Sequence, residues 1–195
     1  MIITEAIETK NLVLRELKDD DFEDIYKMKS DNKVVRFLTW GPSSREQTLK
    51  SLKGQIDFQK EANREMYILA VVLKEVNIVI GNALFMIRSE YTETAEIGYF
   101  LNSNYWGKGY GKEIIDALKE LGFHRLNMHR IFAVCDKENE ASIALLKKSG
   151  FRLEGHLIKN IKIRGEWRDN YIFALLREEH TDLISSGYQA KKMGE

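Results

Sequence analysis

Three glycines at alternate positions, Gly107, Gly109 and Gly111, are the residues whose spacing points most directly to chemistry. They follow an apolar run at residues 97–101 and precede apolar residues at helical spacing in residues 114–121. A strand, a glycine-rich loop and a helix N-terminus in this order suit a pyrophosphate, because free backbone N–H groups and the positive end of the helix dipole converge there. A Cβ would block close approach of phosphate oxygens, which favours glycine. The sequence therefore predicts a bound phosphorylated cofactor.

Three phosphate-binding patterns compete for this loop. A P-loop needs Ser or Thr after its lysine, but Lys112 is followed by Glu113. A dinucleotide fingerprint reads G-x-G-x-x-G early in a βαβ unit, whereas this loop reads G-x-G-x-G past the middle of the chain. The third pattern is [Q/R]-x-x-G-x-[G/A], the acetyl-coenzyme A loop of GNAT acetyltransferases. The loop resembles it, with Trp106 where Gln or Arg is usual; taken alone, a plain glycine-rich turn before a helix fits equally well.

Further short motifs follow in the order of one GNAT branch, the RimJ/RimL-type N-acetyltransferases of ribosomal proteins. That branch has a Y-W-G-x-G-Y-[A/G] loop, which residues 105–111 resemble. Residues 96–99 (E-I-G-Y), 139–142 (N-x-x-S) and 150–151 (G-F) resemble its other motifs. The opening at residues 9–15 resembles T-x-R-L-x-L-R with Asn11 in place of Arg, and residues 169–176 resemble D-x-x-x-x-x-L-L. The resemblance covers about residues 9–180.

The resemblance implies an α+β protein with the GNAT fold. Its central sheet is mixed, mostly antiparallel and six- to seven-stranded, and about four helices flank it. We expect residues 1–180 to form a single acetyltransferase domain and residues 181–195 to form a polar, mobile tail. The apolar pattern agrees with this fold. It predicts a strand at residues 12–17, helices near 22–28 and 44–62, and a hairpin at 66–87 with a bulge or close packing at Gly81. A strand at 95–101 follows, and then come a strand, a helix and a final hairpin that turns at 164–166.

The resemblance also implies the cofactor contacts. Acetyl-coenzyme A is the expected co-substrate, its pantetheine arm lying where the strand at residues 99–101 separates from the strand near residues 133–135. A backbone N–H near Tyr99 would polarise the thioester. The expected cofactor-binding residues are Tyr99, Phe100, Leu101, Trp106, Gly107, Lys108, Gly109, Tyr110, Gly111, Lys112 and Asn139. We expect no metal, since one cysteine and four scattered histidines give no ligand spacing.

Direct attack of an amine on the thioester needs a base and a proton source for the departing thiolate. Glu96 is the first candidate base, acting through water, and His156 is the second because imidazole titrates near neutrality. Ser142 is the candidate proton donor, although Ser142 and Asn139 also suit the N-terminus of a helix. Cys135 is more simply a small buried hydrophobe than an acyl carrier. Trp40 and Trp167 are candidates for the wall of the acceptor site, although such aromatics are more often core residues.

Composition and charge limit the classes of protein to which this chain can belong. A chain of 195 residues with 44% hydrophobic residues suits one globular domain, and its zero net charge gives no broad footprint for nucleic acid. One cysteine fits a reducing compartment, and neither a signal peptide nor a run of membrane-spanning length is present, so we expect a cytoplasmic protein without a membrane partner. A homodimer is compatible with these features.

The acceptor stays open at this stage. The leading hypothesis is a protein N-terminal amine, as in the ribosomal-protein enzymes. A small amine such as a polyamine, an amino acid or an aminoglycoside is the second, and a non-catalytic acyl-coenzyme A binding module is the third. Acidic residues facing the cleft would favour a polycation, and an open groove would favour a peptide.

Overall fold

The computed structural model describes residues 5–181, and its frame is one eight-stranded sheet in the order β1-β2-β3-β4-β5-β6-β8-β7. The strands are β1 (Ile7–Glu8), β2 (Leu12–Glu16), β3 (Met66–Leu73), β4 (Ile78–Ser89), β5 (Thr94–Leu101), β6 (Arg130–Asp136), β7 (Arg152–Ile163) and β8 (Glu166–Leu176). Only β5 and β6 pair in parallel within the described residues. The predicted mixed, mostly antiparallel sheet is confirmed, with eight strands rather than six or seven because the two-residue β1 extends the edge.

The helices are α1 (Phe22–Lys29), α2 (Asn32–Val35), α3 (Arg45–Phe58), α4 (Tyr110–Lys119) and α5 (Glu140–Lys148). Short 3-10 turns lie at Asp19–Asp21 and Ser103–Tyr105, and a π-helical turn, Glu120–Arg125, continues α4. A further helical segment begins at residue 177 and reaches the last described residue. The sequence pattern missed α2, which has only four residues and therefore little periodicity to detect.

Each face of the sheet carries its own apolar cluster. Alternate residues of β5, among them Ala95, Ile97 and Leu101, pack with α4 on what we call the cofactor face. The side chains between them point to the opposite face, where Phe100 packs with apolar residues of α1 and α3. We call this the acceptor face. Because cross-strand partners share a face, strand register assigns every site residue to one of the two.

The β3–β4 hairpin contains the irregularity predicted at Gly81. Val71 pairs with Gly81, and Val72 pairs with Val79, so Ile80 is the extra residue of a β-bulge. A Cβ at Gly81 would lie 2.5 Å from the carbonyl oxygen of Phe100 on β5. Both alternatives of the prediction, a bulge and close packing, are therefore present.

The two helices next to the predicted cofactor site follow their sequence patterns, except that α4 ends at Lys119 rather than near Phe123 and continues as the π-helical turn to Arg125. In α4, Ile114, Ile115 and Leu118 are buried against the sheet. Asn139 caps the N-terminus of α5, and Gly150, with a φ of 92°, follows its C-terminus.

No helix in residues 5–181 has the length and apolar character to cross a membrane. The predicted polar tail lies outside the described residues, apart from Thr181.

Candidate active site

The parallel strands β5 and β6 separate near the middle of the sheet. They pair over three positions, from Thr94 with Arg130 to Glu96 with Phe132, and not beyond. From there β5 continues to pair only with β4, and β6 only with β8. The facing strand edges therefore keep free backbone hydrogen-bonding groups inside a V-shaped cleft, as the sequence analysis predicted for residues 99–101 and 133–135.

The glycine-rich loop lies at the end of β5 and leads into α4. Gly109 is the N-cap residue of α4, with a φ of 87°, and Gly107 has a φ of 74°. In the part of the chain that the structure describes, the backbone amides of residues 107–111 donate no hydrogen bond. They and the N-terminus of α4 together form a concentration of free donors suited to a pyrophosphate.

The three glycines of the loop are required for different reasons. A side chain at Gly107 or Gly109 would meet no atom within 4 Å, so these two residues are required for their positive φ angles. Gly111 is required for space, because a Cβ there would lie 2.8 Å from the side chain of Leu145 and 3.3 Å from the hydroxyl of Tyr99. The loop is thus shaped for close approach by an anionic group, and its residues fit the cofactor that the sequence implies.

Other predicted cofactor residues in the loop are held by contacts within the protein. The indole N–H of Trp106 donates to the carbonyl oxygen of Leu101 at 2.9 Å, which ties the loop to β5. Lys112 forms an ion pair with Asp116 one turn further along α4. Lys108 lies over the ring of Tyr105, with its ammonium nitrogen 5.0 Å from the ring centre. All three stay near the loop, and Lys108 is exposed to solvent.

Tyr99, Cys135 and Ser142 form a cluster on the cofactor face, beside the separating strands. Burial raises the pKa of the Tyr99 phenol to about 12, and the neighbouring Cys135 adds to the rise. Burial also raises the pKa of the Cys135 thiol to about 11, although a hydrogen bond with the Ser142 hydroxyl opposes this. Both acidic groups are therefore neutral at physiological pH. Cys135 is 7% exposed, as expected for a small buried hydrophobe.

Asn139 and Ser142 have separate roles at the N-terminus of α5. The Asn139 side chain accepts a hydrogen bond from the backbone N–H of Ser142 at 3.2 Å, which is an N-cap contact. The Ser142 hydroxyl lies near the thiol of Cys135 and lowers the pKa of that thiol. Of the two capping candidates in the sequence, Asn139 is the cap.

Glu96 lies on the acceptor face at the last position where β5 and β6 still pair. Its side chain is 19% exposed and forms an ion pair with Arg88 on β4. The Arg88 Nε donates to Oε2 of Glu96 at 2.8 Å, and a second guanidinium nitrogen contacts the same oxygen. Arg88 fixes the orientation of this carboxylate and leaves Oε1 to meet another group. Arg88 was not predicted from the sequence, because only the β4–β5 register brings it beside Glu96.

His156 lies on the other face of the sheet from Glu96. Its partner across β7 and β8 is Tyr171, which in turn pairs with Cys135, and all three share the cofactor face. The imidazole Nε2 lies 2.6 Å from Oδ2 of Asp169, and its ring meets that of Tyr171 edge-on at 5.2 Å. Two strand spacings, about 10 Å, separate His156 from Cys135. The structure thus separates the two candidate bases.

The acceptor face near the cleft is walled by residues from two distant segments. Trp40 packs edge-on against Phe100 with ring centres 5.4 Å apart, and the ammonium group of Lys29 lies 5.0 Å from the Trp40 ring centre. Burial lowers the pKa of Lys29. Trp40 therefore lies at the predicted wall, whereas Trp167 is 59% exposed beside the turn of the β7–β8 hairpin, where its ring lies 5.8 Å from the Lys162 ammonium group.

The hairpin turn itself reaches the acceptor side of the molecule. The Arg164 guanidinium donates to the carbonyl oxygens of Val35 at 2.7 Å and Arg36 at 3.1 Å, at the end of α2. Cations at a helix C-terminus satisfy its free carbonyl groups and its negative dipole end. Neither α2 nor this contact was predicted from the sequence, since both depend on how the hairpin folds over the sheet.

The model of the acetyltransferase (GNAT) domain matches residues 11–152. The chain belongs to the GNAT acetyltransferase family. Members of this family use acetyl-coenzyme A, and this GNAT protein has the predicted fold.

Known proteins similar to this GNAT protein differ in their acceptors. The uncharacterized N-acetyltransferase YnaD of Bacillus subtilis is 36% identical over 173 residues, 89% of this chain and 98% of that protein. RimL, a ribosomal L7/L12 α-N-protein acetyltransferase solved with coenzyme A, has a TM-score of 0.78 at 23% identity, covering 88% of this chain and 98% of that one. Vibrio cholerae spermidine N-acetyltransferase, solved with coenzyme A and spermine, has a TM-score of 0.76 at 21% identity, covering 89% and 99%.

In residues 5–181, no three His, Cys, Asp or Glu side chains are grouped so that they could hold a metal ion.

Proposed function

We propose that this GNAT N-acetyltransferase moves the acetyl group of acetyl-coenzyme A directly onto the N-terminal amine of a peptide or protein. One observation carries the proposal: the cleft between β5 and β6 opens to the glycine loop on one face and to Glu96 on the other. A thioester seated in this cleft would meet an amine arriving from the acceptor face. The two substrates would then enter the cleft from opposite faces of the sheet.

The cofactor would be held by backbone groups more than by side chains. The free amides of residues 107–111 and the N-terminus of α4 would bind the pyrophosphate. The pantetheine arm would pair with the free strand edges beyond Glu96 and Phe132. Asn139 and Tyr99 border the same cleft, and a backbone N–H near Tyr99 would stabilise negative charge on the carbonyl oxygen as the tetrahedral species forms.

The reaction then requires three proton movements. An ammonium group must lose one proton before its nitrogen attacks the carbonyl carbon and a second after the C–N bond forms, and the thiolate released when the C–S bond breaks must gain one. In this proposal Oε1 of Glu96 takes the first proton, directly or through water, because Arg88 holds Oε2. Ser142 hydrogen-bonds or protonates the departing sulfur from the cofactor face. His156 remains the alternative base, on the less suitable face.

The acceptor face favours a peptide over a polyamine. Its floor, formed by Met66, Ile68, Leu84 and Met86, is apolar and only half-buried, so an open groove runs across β3 and β4 to Glu96. Glu96 itself is already paired with Arg88. A polycation needs several free carboxylates, whereas an extended peptide needs an open groove with one anionic position for its terminal amine.

We also infer a cytoplasmic location, which rests on the single, reduced cysteine.

Release of free thiol from acetyl-coenzyme A, measured with short peptides, spermidine and free amino acids, tests this proposal. We expect peptides with free N-termini to give kcat/KM values at least about 10-fold above spermidine, and N-blocked peptides of the same sequence to be inert. Mass spectrometry should place one acetyl group on the terminal nitrogen. Preference for spermidine, or no transfer to any peptide, would contradict the proposed acceptor.

A further inference from the structure

A cavity of about 550 Å³ lies on the acceptor face between α3 and the beginning of β3. Residues spaced by one helical turn along α3, including Ser51, Gly54 and Phe58, form its roof, and Met66 and Ile68 form its floor. An engineered cavity of about 150 Å³ is enough to bind benzene. The cavity therefore has room for a large apolar side chain.

Much of the cavity volume exists because residue 54 is a glycine without a side chain. It lies in the middle of α3, where glycine costs about 1 kcal/mol relative to alanine. No atom lies within 4 Å of the position that its Cβ would occupy, so no packing conflict accounts for the missing side chain. A helix position that is both unfavourable for glycine and open toward a cavity fits a need to keep the cavity free.

The polar side chains around the cavity are mostly engaged with other groups. The amide of Gln59 binds the backbone N–H and carbonyl of Leu17 at 2.8 and 3.1 Å, and Gln47 belongs to the capping box of α3. Ser51 accepts a hydrogen bond from Lys29 at 2.8 Å. These contacts leave mainly aliphatic and aromatic surface for a ligand.

Strand register connects the cavity to the candidate base. Met66 pairs with Met86, and Met86 pairs with Glu96, so the three side chains form one row on the acceptor face. Two strand spacings, about 10 Å, separate Met66 from Glu96. An extended chain advances about 3.3–3.6 Å per residue, so this distance corresponds to about three residues.

We propose that this cavity is a specificity pocket for an apolar side chain among residues 2–4 of the acceptor peptide. The inference rests on the proposed function and adds which peptides are preferred. An acceptor amine at Glu96 would direct its chain over Met86, and a side chain within the next three residues would enter the space beneath Gly54.

The charged residues of the cavity support a peptide as its occupant. Arg64 lines the cavity, and its guanidinium pairs with Glu16 and lies over the ring of Tyr67. Lys50 also lines the cavity, and none of its described lining residues is Asp or Glu. A cationic group is therefore disfavoured there.

Steady-state kinetics with a peptide series tests the pocket. The series is an all-alanine hexapeptide and versions with leucine or phenylalanine placed in turn at positions 2, 3 and 4. The wild-type protein is compared with Gly54→Leu, which fills the cavity, and with Gly54→Ala, which strengthens the helix but leaves most of the space. In the wild-type protein, one position should raise kcat/KM by about 10-fold or more over alanine.

Gly54→Leu should abolish that preference, whereas Gly54→Ala should largely keep it. Both variants should acetylate the all-alanine peptide at the wild-type rate and keep the wild-type thermal shift with acetyl-coenzyme A. Acetylation without any preference, or a preference that survives Gly54→Leu, would overturn the pocket while leaving the proposed function standing. If no peptide is acetylated at all, the proposed function fails, and the pocket assignment fails with it.

Discussion

At the scale of single residues, neighbouring side chains in the candidate site have different roles. Asn139 caps α5, and the Ser142 hydroxyl lies near the Cys135 thiol. Arg88 orients Glu96 and contacts only one of its two carboxylate oxygens. In each pair we propose that one residue is structural and the other takes part in the reaction, so substitutions of the two members should have different consequences.

The pair at α5 gives a prediction that separates stability from rate. Asn139→Ala should lower the free energy of unfolding by about 0.5–2 kcal/mol, because it removes the cap. Ser142→Ala should leave that free energy nearly unchanged and lower kcat, by up to about 10²-fold if the hydroxyl assists the departing thiolate. Denaturant unfolding and turnover, measured on the same preparations, check both. A Ser142→Ala protein with normal turnover would leave protonation of the thiolate to water.

At the scale of elements, α4 and its loop offer free backbone N–H groups where we propose the phosphate site. Gly109 adopts a φ of 87° next to free amides, and Gly165, in the β7–β8 turn, adopts a φ of 92° far from any predicted cofactor contact. Neither glycine has an atom within 4 Å of its would-be Cβ. Gly165 is therefore a matched control for backbone strain at Gly109.

We expect Gly109→Val and Gly165→Val each to destabilise the fold by on the order of 1–2 kcal/mol, the cost of a left-handed conformation for a residue with a Cβ. Only Gly109→Val should also lose the rise in melting temperature that acetyl-coenzyme A gives the wild-type protein, since only this change alters the phosphate loop. Differential scanning fluorimetry with and without acetyl-coenzyme A measures both effects. An unchanged shift in Gly109→Val would place the pyrophosphate elsewhere.

The elements near the cofactor were predictable from sequence because their signals are local. Glycine spacing and the apolar face of α4 indicate the loop and its helix, and Asn139 and Gly150 mark the ends of α5. The acceptor side was not predictable to the same degree. The cavity beneath Gly54 depends on how α3 packs on the sheet, and the Arg88–Glu96 pair depends on the β4–β5 register. Neither is specified by a local sequence pattern.

At the scale of the whole molecule, the two faces of the sheet would separate the two substrates of the proposed reaction. Residues on the cofactor face surround the glycine loop, and residues on the acceptor face surround the groove and cavity beneath α3. The faces communicate where β5 and β6 separate, immediately after Glu96. We therefore propose that acetyl transfer takes place at this separation, with Glu96 receiving a proton of the amine.

The most direct test is the rate of peptide acetylation by Glu96→Gln, measured across pH at saturating acetyl-coenzyme A. Gln keeps a carbonyl acceptor for Arg88 but cannot take the proton, so we predict a loss of about 10²-fold or more with an unchanged acetyl-coenzyme A thermal shift. Glu75→Gln, in the exposed β3–β4 turn, is the control and should behave as wild type. A Glu96→Gln protein with a near-normal rate and an unmoved pH profile would contradict the account and direct attention to His156 or solvent as the base.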